Sequence, residues 1–257
     1  MRWKFAFAVL GLLAASPVQA ADIIVMTSGG FTAALKDLAP AYEKQTGNHL
    51  ILVFGPSMGV APTAIPVRLA RGEKADLVIL ARVGLDGLIA KGMVSPPATD
   101  LVQSGIAMAV KADVPVPDIS TLAAFKKTLL AAKSVAYSDS ASGVYIKTEM
   151  YKNMGIEDQM SKKSRMIQAT PVGQNVARGD VELGFQQMAE LKPIAGIKIV
   201  GYLPEGAQQM TFFSAGIVKN AAHPDEAKKL LAWLQSPKQF AAIRATGLTP
   251  ASEIKKQ

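Results

Sequence analysis

One construction constrains this chain more than any other: a short apolar strand runs into a Ser/Thr/Gly-rich loop and then directly into a helix, three times over. Ser28-Gly29-Gly30-Phe31-Thr32 follows Ile23-Ile24-Val25-Met26, Ser140-Ala141-Ser142-Gly143 follows Val135-Ala136-Tyr137, and Thr170-Pro171-Val172-Gly173 follows Met166-Ile167. Backbone N–H groups at a helix start have no partner within the helix, and the helix dipole makes that end attractive to negative charge. Three such ends imply an α/β fold whose loops converge on a small anion.

Strands and helices alternate almost throughout, as parallel sheets flanked by helices require. Strands are expected at 22–27, 50–54, 77–80, 106–111, 134–137, 183–186, 197–202 and 211–218. The main helices are expected at 32–45, 65–71, 83–91, 121–133, 144–154, 172–178, 224–234 and 237–246. Ligands of open α/β sheets bind at the carboxyl ends of the strands, where the Gly/Ser loops lie. Two lobes facing each other across a cleft would close on such a ligand.

The first residues read as a targeting segment. Arg2 and Lys4 precede an apolar run from Phe5 to Ala15 that is too short to span a membrane, and Val18-Gln19-Ala20 supplies small residues for cleavage. Residues 1–20 are therefore expected to be a cleavable signal peptide, and the mature protein periplasmic. The 257 residues, 49% of them apolar and 19% charged, suit a globular chain of two domains. The absence of cysteine excludes disulfides, thiolate metal sites and a cysteine nucleophile. The formal net charge is +8, but the lysines are scattered without interleaved aromatics, so nucleic acid is not expected as a partner. His49 and His223 are the only histidines and stand apart from the loops, which argues against a histidine triad or a metal cluster.

Several stretches resemble the ModA-like periplasmic solute-binding proteins of ABC importers, the molybdate-binding type. These are Val25-Met-Thr-Ser-Gly-Gly-Phe-Thr-Ala-Ala-Leu-Lys-Asp-Leu, Arg71-Gly-Glu-Lys-Ala-Asp-Leu-Val-Ile, Ser138-Asp-Ser-Ala-Ser-Gly-Val-Tyr and Ser236-Pro-Lys-Gln-Phe. The resemblance implies a type II two-lobed binding-protein fold with two β crossovers. Lobe one would take 21–104 plus 219–257, and lobe two 105–218 with the crossover strands. It also implies a monomer that works with an inner-membrane ABC permease and needs no cofactor, no metal and no catalytic residue.

By the same resemblance, a serine of the first loop falls on Gly30, with Ser28 beside it, and a second-loop serine on Ser57. Main-chain donors fall on Ser142 and Val172, and a tyrosine falls on Gln187. The expected ligand set is Ser28, Gly29, Gly30, Ser57, Met58, Arg82, Ser140, Ser142, Gly143, Val172, Gln186 and Gln187. A molybdate-like oxyanion is the first expectation. Gln186 and Gln187 can both donate and accept, and Arg82 could fork onto a carboxylate, so a small di- or tricarboxylate is the alternative. Asp139 reads first as a cap or turn residue and second as a ligand contact. A periplasmic sensor, or a hydrolase using the Ser/Asp loop, is the reading from another class; the hydrolase lacks a base near any loop serine.

Overall fold

The computed structural model describes residues 20–168 and 170–254; the expected signal peptide therefore lies almost wholly outside the described residues. The chain opens with β1 (Asp22–Thr27), α1 (Gly29–Thr46), β2 (His49–Phe54), α2 (Ile65–Ala70), β3 (Leu77–Ala81) and α3 (Arg82–Ala90). Next come β4 (Thr99–Ser104), β5 (Ile106–Lys111), α4 (Leu122–Ala131), β6 (Val135–Ser138) and α5 (Ala141–Tyr145), which runs through a π turn at Ile146–Met150 into α6 (Tyr151–Asn153). Then follow α7 (Glu157–Ser161), β7 (Ser164–Ile167), α8 (Val172–Arg178), β8 (Leu183–Gln187), α9 (Met188–Leu191) and β9 (Ile197–Tyr202). The chain closes with β10 (Thr211–Ile217), α10 (Pro224–Leu234), α11 (Phe240–Ala245) and β11 (Thr249–Pro250).

These strands build two mixed sheets, ordered β11-β4-β10-β3-β1-β2 and β7-β6-β8-β5-β9. Pairing is parallel where a helix returns the chain to its own sheet, as in β1 with β2 and β3 or β6 with β7 and β8. It is antiparallel around β10 and β5, the strands through which the chain enters from the other sheet. Both faces of each sheet are covered. Phe31, Leu35, Tyr42, Leu230 and Leu234 pack on one side of the first sheet, and Ile65, Leu85 and Leu88 on the other. In the second sheet Phe125, Leu129 and Phe185 oppose Val172 and Val176.

The chain changes sheet at Gly105 and again between Tyr202 and Thr211. Strand 211–218, grouped with the second lobe from sequence, is instead hydrogen-bonded between β3 and β4 in the first sheet. Its extended apolar pattern carries no information about which sheet receives it. The two crossings run side by side: a Cβ on Gly105 would stand 2.9 Å from Tyr202 Cδ1 and 3.1 Å from Met210 Sδ. Gln208 joins them, accepting from Ile106 N at 2.8 Å and donating to Ile106 O at 2.9 Å.

The Arg71–Ile79 stretch ties several elements together. Asp76 is buried, and its carboxylate accepts from Ile24 N and His223 N, each at 2.8 Å. Its own backbone donates to Ile24 O and accepts from Val218 N. One aspartate thus ties β1, β3 and the segment that starts α10. Glu73 is gripped by Arg68 and Arg71, which also donate to the carbonyls of Thr63 and Pro62 and so fix the loop after β2.

Candidate functional site

A cavity of about 740 Å³ lies between the lobes, lined from one side by the start of α1 and the loop after β2, and from the other by the loops before α5 and α8 and by α9. Its floor depends on where α1 begins. The helix starts at Gly29, three residues earlier than its apolar spacing indicates, so bare glycine backbone faces the cavity. Ser28 caps the helix by position, yet its side chain makes no cap hydrogen bond. Its hydroxyl is fully buried with no partner among the described residues.

The expected ligand residues divide into two groups. Gly29, Ser140 and Gln186 line the cavity, and the buried Ser28 precedes Gly29 in the chain. The others are not part of its lining, and several are engaged in hydrogen bonds within the protein. Ser57 Oγ accepts from Ala81 N at 2.9 Å, and its N–H reaches Ser140 Oγ at 3.4 Å across the cleft. Ser142 shares a hydrogen bond with Ser138 at 3.2 Å. Val172 N donates to Gln186 Oε1 at 2.8 Å, so these two expected contacts satisfy each other. Gln187 Nε2 donates to Thr211 Oγ1 at 3.0 Å. Met58 is half-buried beside the cavity and is not part of its lining.

Three expectations are corrected by packing. Arg82 donates through Nε to Asp86 and through NH1 to Asp100, both at 2.8 Å, so its fork is held by two carboxylates away from the cavity. At Gly143, which is not part of the cavity lining, a Cβ would lie 1.7 Å from Ser138 O, so only glycine lets α5 approach the end of β6 this closely. Where the resemblance puts a ligand serine, Gly30 is backed by the ring of Phe213, whose Cζ lies 2.1 Å from a built Cβ. Gly30→Ser would force that buried ring aside and is expected to cost about 1–3 kcal/mol, as overpacked cores do. A thermal melt checks this: a melting temperature lowered by several degrees is expected, and an unchanged one would mean the ring yields freely.

The residue that sequence reasoning missed is Glu190, on the short helix α9. Its carboxyl accepts from Gln187 N at 3.4 Å and reaches across the cleft, so that Oε1 lies 1.7 Å from where a Cβ on Gly29 would be. A side chain at position 29 would displace this carboxyl from the start of α1. Burial pushes the Glu190 carboxyl up to about 7; the hydrogen bond from Gln187 N works against this, and the nearby Asp139 charge adds to the rise. Asp139 and Glu190 both line the cavity, as do Lys36 and Lys192. A carboxyl that ionises near neutrality can take and return a proton. Among the described residues no group of three His, Cys, Asp or Glu side chains could hold a metal ion.

A family model described as bacterial extracellular solute-binding protein matches residues 23–249. Among curated proteins, the aconitate isomerase of a Pseudomonas species is 49% identical over 240 residues, 93% of this chain and 91% of that protein. The molybdate-binding protein ModA of Azotobacter vinelandii is 25% identical, over 92% of this chain and 93% of that protein. The solved periplasmic molybdate-binding protein of Azotobacter vinelandii aligns with a TM-score of 0.73 at 22% identity, over 91% of this chain and 100% of that one, and shows the same fold. The expectation that the chain is not an enzyme is overturned by the 49% identical relative, which is named for an isomerase.

Proposed function

This chain belongs to the bacterial extracellular solute-binding protein family, and on that footing we propose that it is a periplasmic isomerase of a small unsaturated tricarboxylate, with aconitate as the substrate. The observation that carries the reading is the Glu190 carboxyl standing in the interlobe cavity against the start of α1. The 49% identity to an aconitate isomerase supports it.

Aconitate is propene-1,2,3-tricarboxylate, and its CH2 group is both allylic and next to a carboxylate. Removing a proton from that carbon gives an anion delocalised over the three-carbon unit. Returning the proton to the other terminal carbon exchanges the CH2 and CH= positions and so interconverts the cis and trans isomers. One C–H bond is broken, one is made and the double bond moves to the other side of the central carbon, so the step balances with no cofactor consumed. Glu190 would take the proton as carboxylate, hold it as carboxylic acid and return it at the far carbon. The backbone donors at the start of α1 would face the charge that develops on the substrate carboxylates, where preorganised dipoles act most strongly. The substrate is far larger than a tetrahedral oxyanion, and a cavity of about 740 Å³ has room for it.

Incubating the purified mature protein with cis-aconitate in D2O, and following the trans isomer by proton NMR, tests the reading. Formation of trans-aconitate is expected; a protein that binds aconitate without converting it would refute the isomerase reading. The family supports a second role, delivery of the same ligand to an inner-membrane permease.

Glu190 also makes a stability prediction. An ordinary glutamate ionises near 4.5, whereas this one is raised to about 7 in the folded protein. Between these values the folded state holds a proton that the unfolded state has released, so this group's contribution to stability falls as pH rises through the window. Melting temperatures from pH 4 to 8 should therefore decline more steeply with pH for the wild type than for Glu190→Gln. Parallel curves would show that Glu190 ionises normally.

A further inference from the structure

Helix α9 joins β8 to β9 and so belongs by chain connection to the second sheet, yet its residues are fastened mainly to elements of the first. Gln187 Nε2 donates to Thr211 Oγ1 on β10 at 3.0 Å. Met188 Cγ stands 2.8 Å from where a Cβ on Gly247 would be, just past the end of α11. Ala189 is buried in the apolar core of the first sheet with Phe31 and Phe213. Glu190 lies against Gly29 at the start of α1. Lys192 Nζ donates at 2.5 Å to the carbonyl of Ala245, the last residue of α11. Two contacts run the other way: Leu191 packs on Ala107 and Ala109 of β5, and Met188 N donates to Gly105 O at the crossing between the sheets.

A helix of four residues does not hold itself in place. Fixing a first turn costs more than its hydrogen bonds return, so α9 takes its position from the groups it is bonded to. Polar side chains hold both of its ends, Gln187 at the start and Lys192 at the close, and both reach the first sheet. Glu190 stands between these anchors, so any drift of the helix is passed to its carboxyl. A displacement of about 1 Å at a reacting group can cost about 10²-fold in rate.

We propose that Gln187 and Lys192 are positioning residues for Glu190, pinning the two ends of α9 to the first sheet so that the proton-transferring carboxyl stays fixed against the start of α1. This rests on the isomerase reading above and adds to it what holds the base in place. The base and the α1 donors then form one unit, and the loops at Ser140 and Pro171 complete the cavity from the second sheet.

Four variants of the mature protein test this, through the steady-state kinetics of cis-aconitate isomerisation across pH and calorimetric binding of tricarballylate, an unreactive tricarboxylate. Thr211 is not part of the cavity lining, so Thr211→Val removes the acceptor of Gln187 without touching substrate. Thr211→Val and Lys192→Met are each expected to lower kcat about tenfold while tricarballylate affinity stays within about threefold of wild type. Thr211→Ser keeps the acceptor and Lys192→Arg keeps a donor, and both should retain most of the rate. The charged side chains that share the cavity lining with Glu190 are Lys36, Asp37, Asp139 and Lys192, and Thr211→Val alters none of them. A loosened α9 exposes Glu190 to water, so in this variant the inflection of kcat/KM should move down from about 7. An unchanged kcat in both Thr211→Val and Lys192→Met would overturn the assignment. So would weakened tricarballylate binding with kcat intact in Lys192→Met, which would make Lys192 a substrate contact. Lys192 is exposed, so its variants decide the matter even if Thr211→Val does not fold. A wild-type protein that binds tricarballylate but leaves cis-aconitate unconverted would instead overturn the isomerase reading, and the assignment with it.

Discussion

Glu190→Gln is expected to lower the rate of aconitate interconversion by about 10²- to 10⁴-fold, the usual contribution of a positioned proton-transfer group. Glutamine keeps the shape and the polar oxygen that lies against Gly29 but cannot ionise, so the cavity should still bind substrate. Because Glu190 ionises at about 7 and must start as the carboxylate, kcat/KM of the wild type should rise with pH and level off above that value. Residual activity in the variant should lose the inflection. A variant with near wild-type rate and the same pH profile would remove Glu190 from the chemistry. Loss of rate with equal loss of binding would make it a binding residue.

The second large effect is on folding. Asp76→Ala deletes the acceptor of two backbone N–H groups, those of Ile24 and His223. Leaving a buried donor unsatisfied costs about 1–3 kcal/mol, so the pair amounts to about 2–6 kcal/mol. At about 2–4 °C per kcal/mol for a protein of this size, the melting temperature should fall by about 10 °C. Asp76→Asn keeps one accepting oxygen and should lose about half as much. A shift of under about 2 °C in the alanine variant would show that water replaces the carboxylate at both sites.

The alternation of strands and helices was legible because buried strands such as β3 are continuous apolar runs bounded by turn residues. Strand β4 was not, since four of the six residues in Thr-Asp-Leu-Val-Gln-Ser are polar; its Asp100 is used inside the fold by Arg82 and Ser214. The loops at Gly29, Ser140 and Gln186, legible in the sequence, line the cavity, whereas Glu190 was not legible there. Helix α9 has four residues, too few to show any periodicity. The available signal was local: Gln187 followed three residues later by Glu190, a spacing at which a glutamate can reach back to the N-cap N–H.

Arg82 taken alone reads as a ligand contact; its partner Asp86 lies four residues on and is visible in sequence, whereas Asp100 arrives only through the fold. Gly30 could not be read at all without the tertiary contact to Phe213. The non-enzyme expectation, overturned by the 49% identical relative, rests on the absence of a histidine near the loop serines, a criterion that does not bear on proton transfer by a carboxyl.

The Gly30–Phe213 contact also bears on how this pocket could change. A serine at position 30 meets the ring unless residue 213 shrinks first, and shrinking Phe213 alone would open a void behind a glycine. Either first step is destabilising, so a hydroxyl at position 30 is separated from the present pocket by a valley that a lineage must cross with two coordinated substitutions. The packing beneath the cleft thus works as a ratchet, holding the pocket in its present form for a steric reason that involves neither ligand nor catalysis.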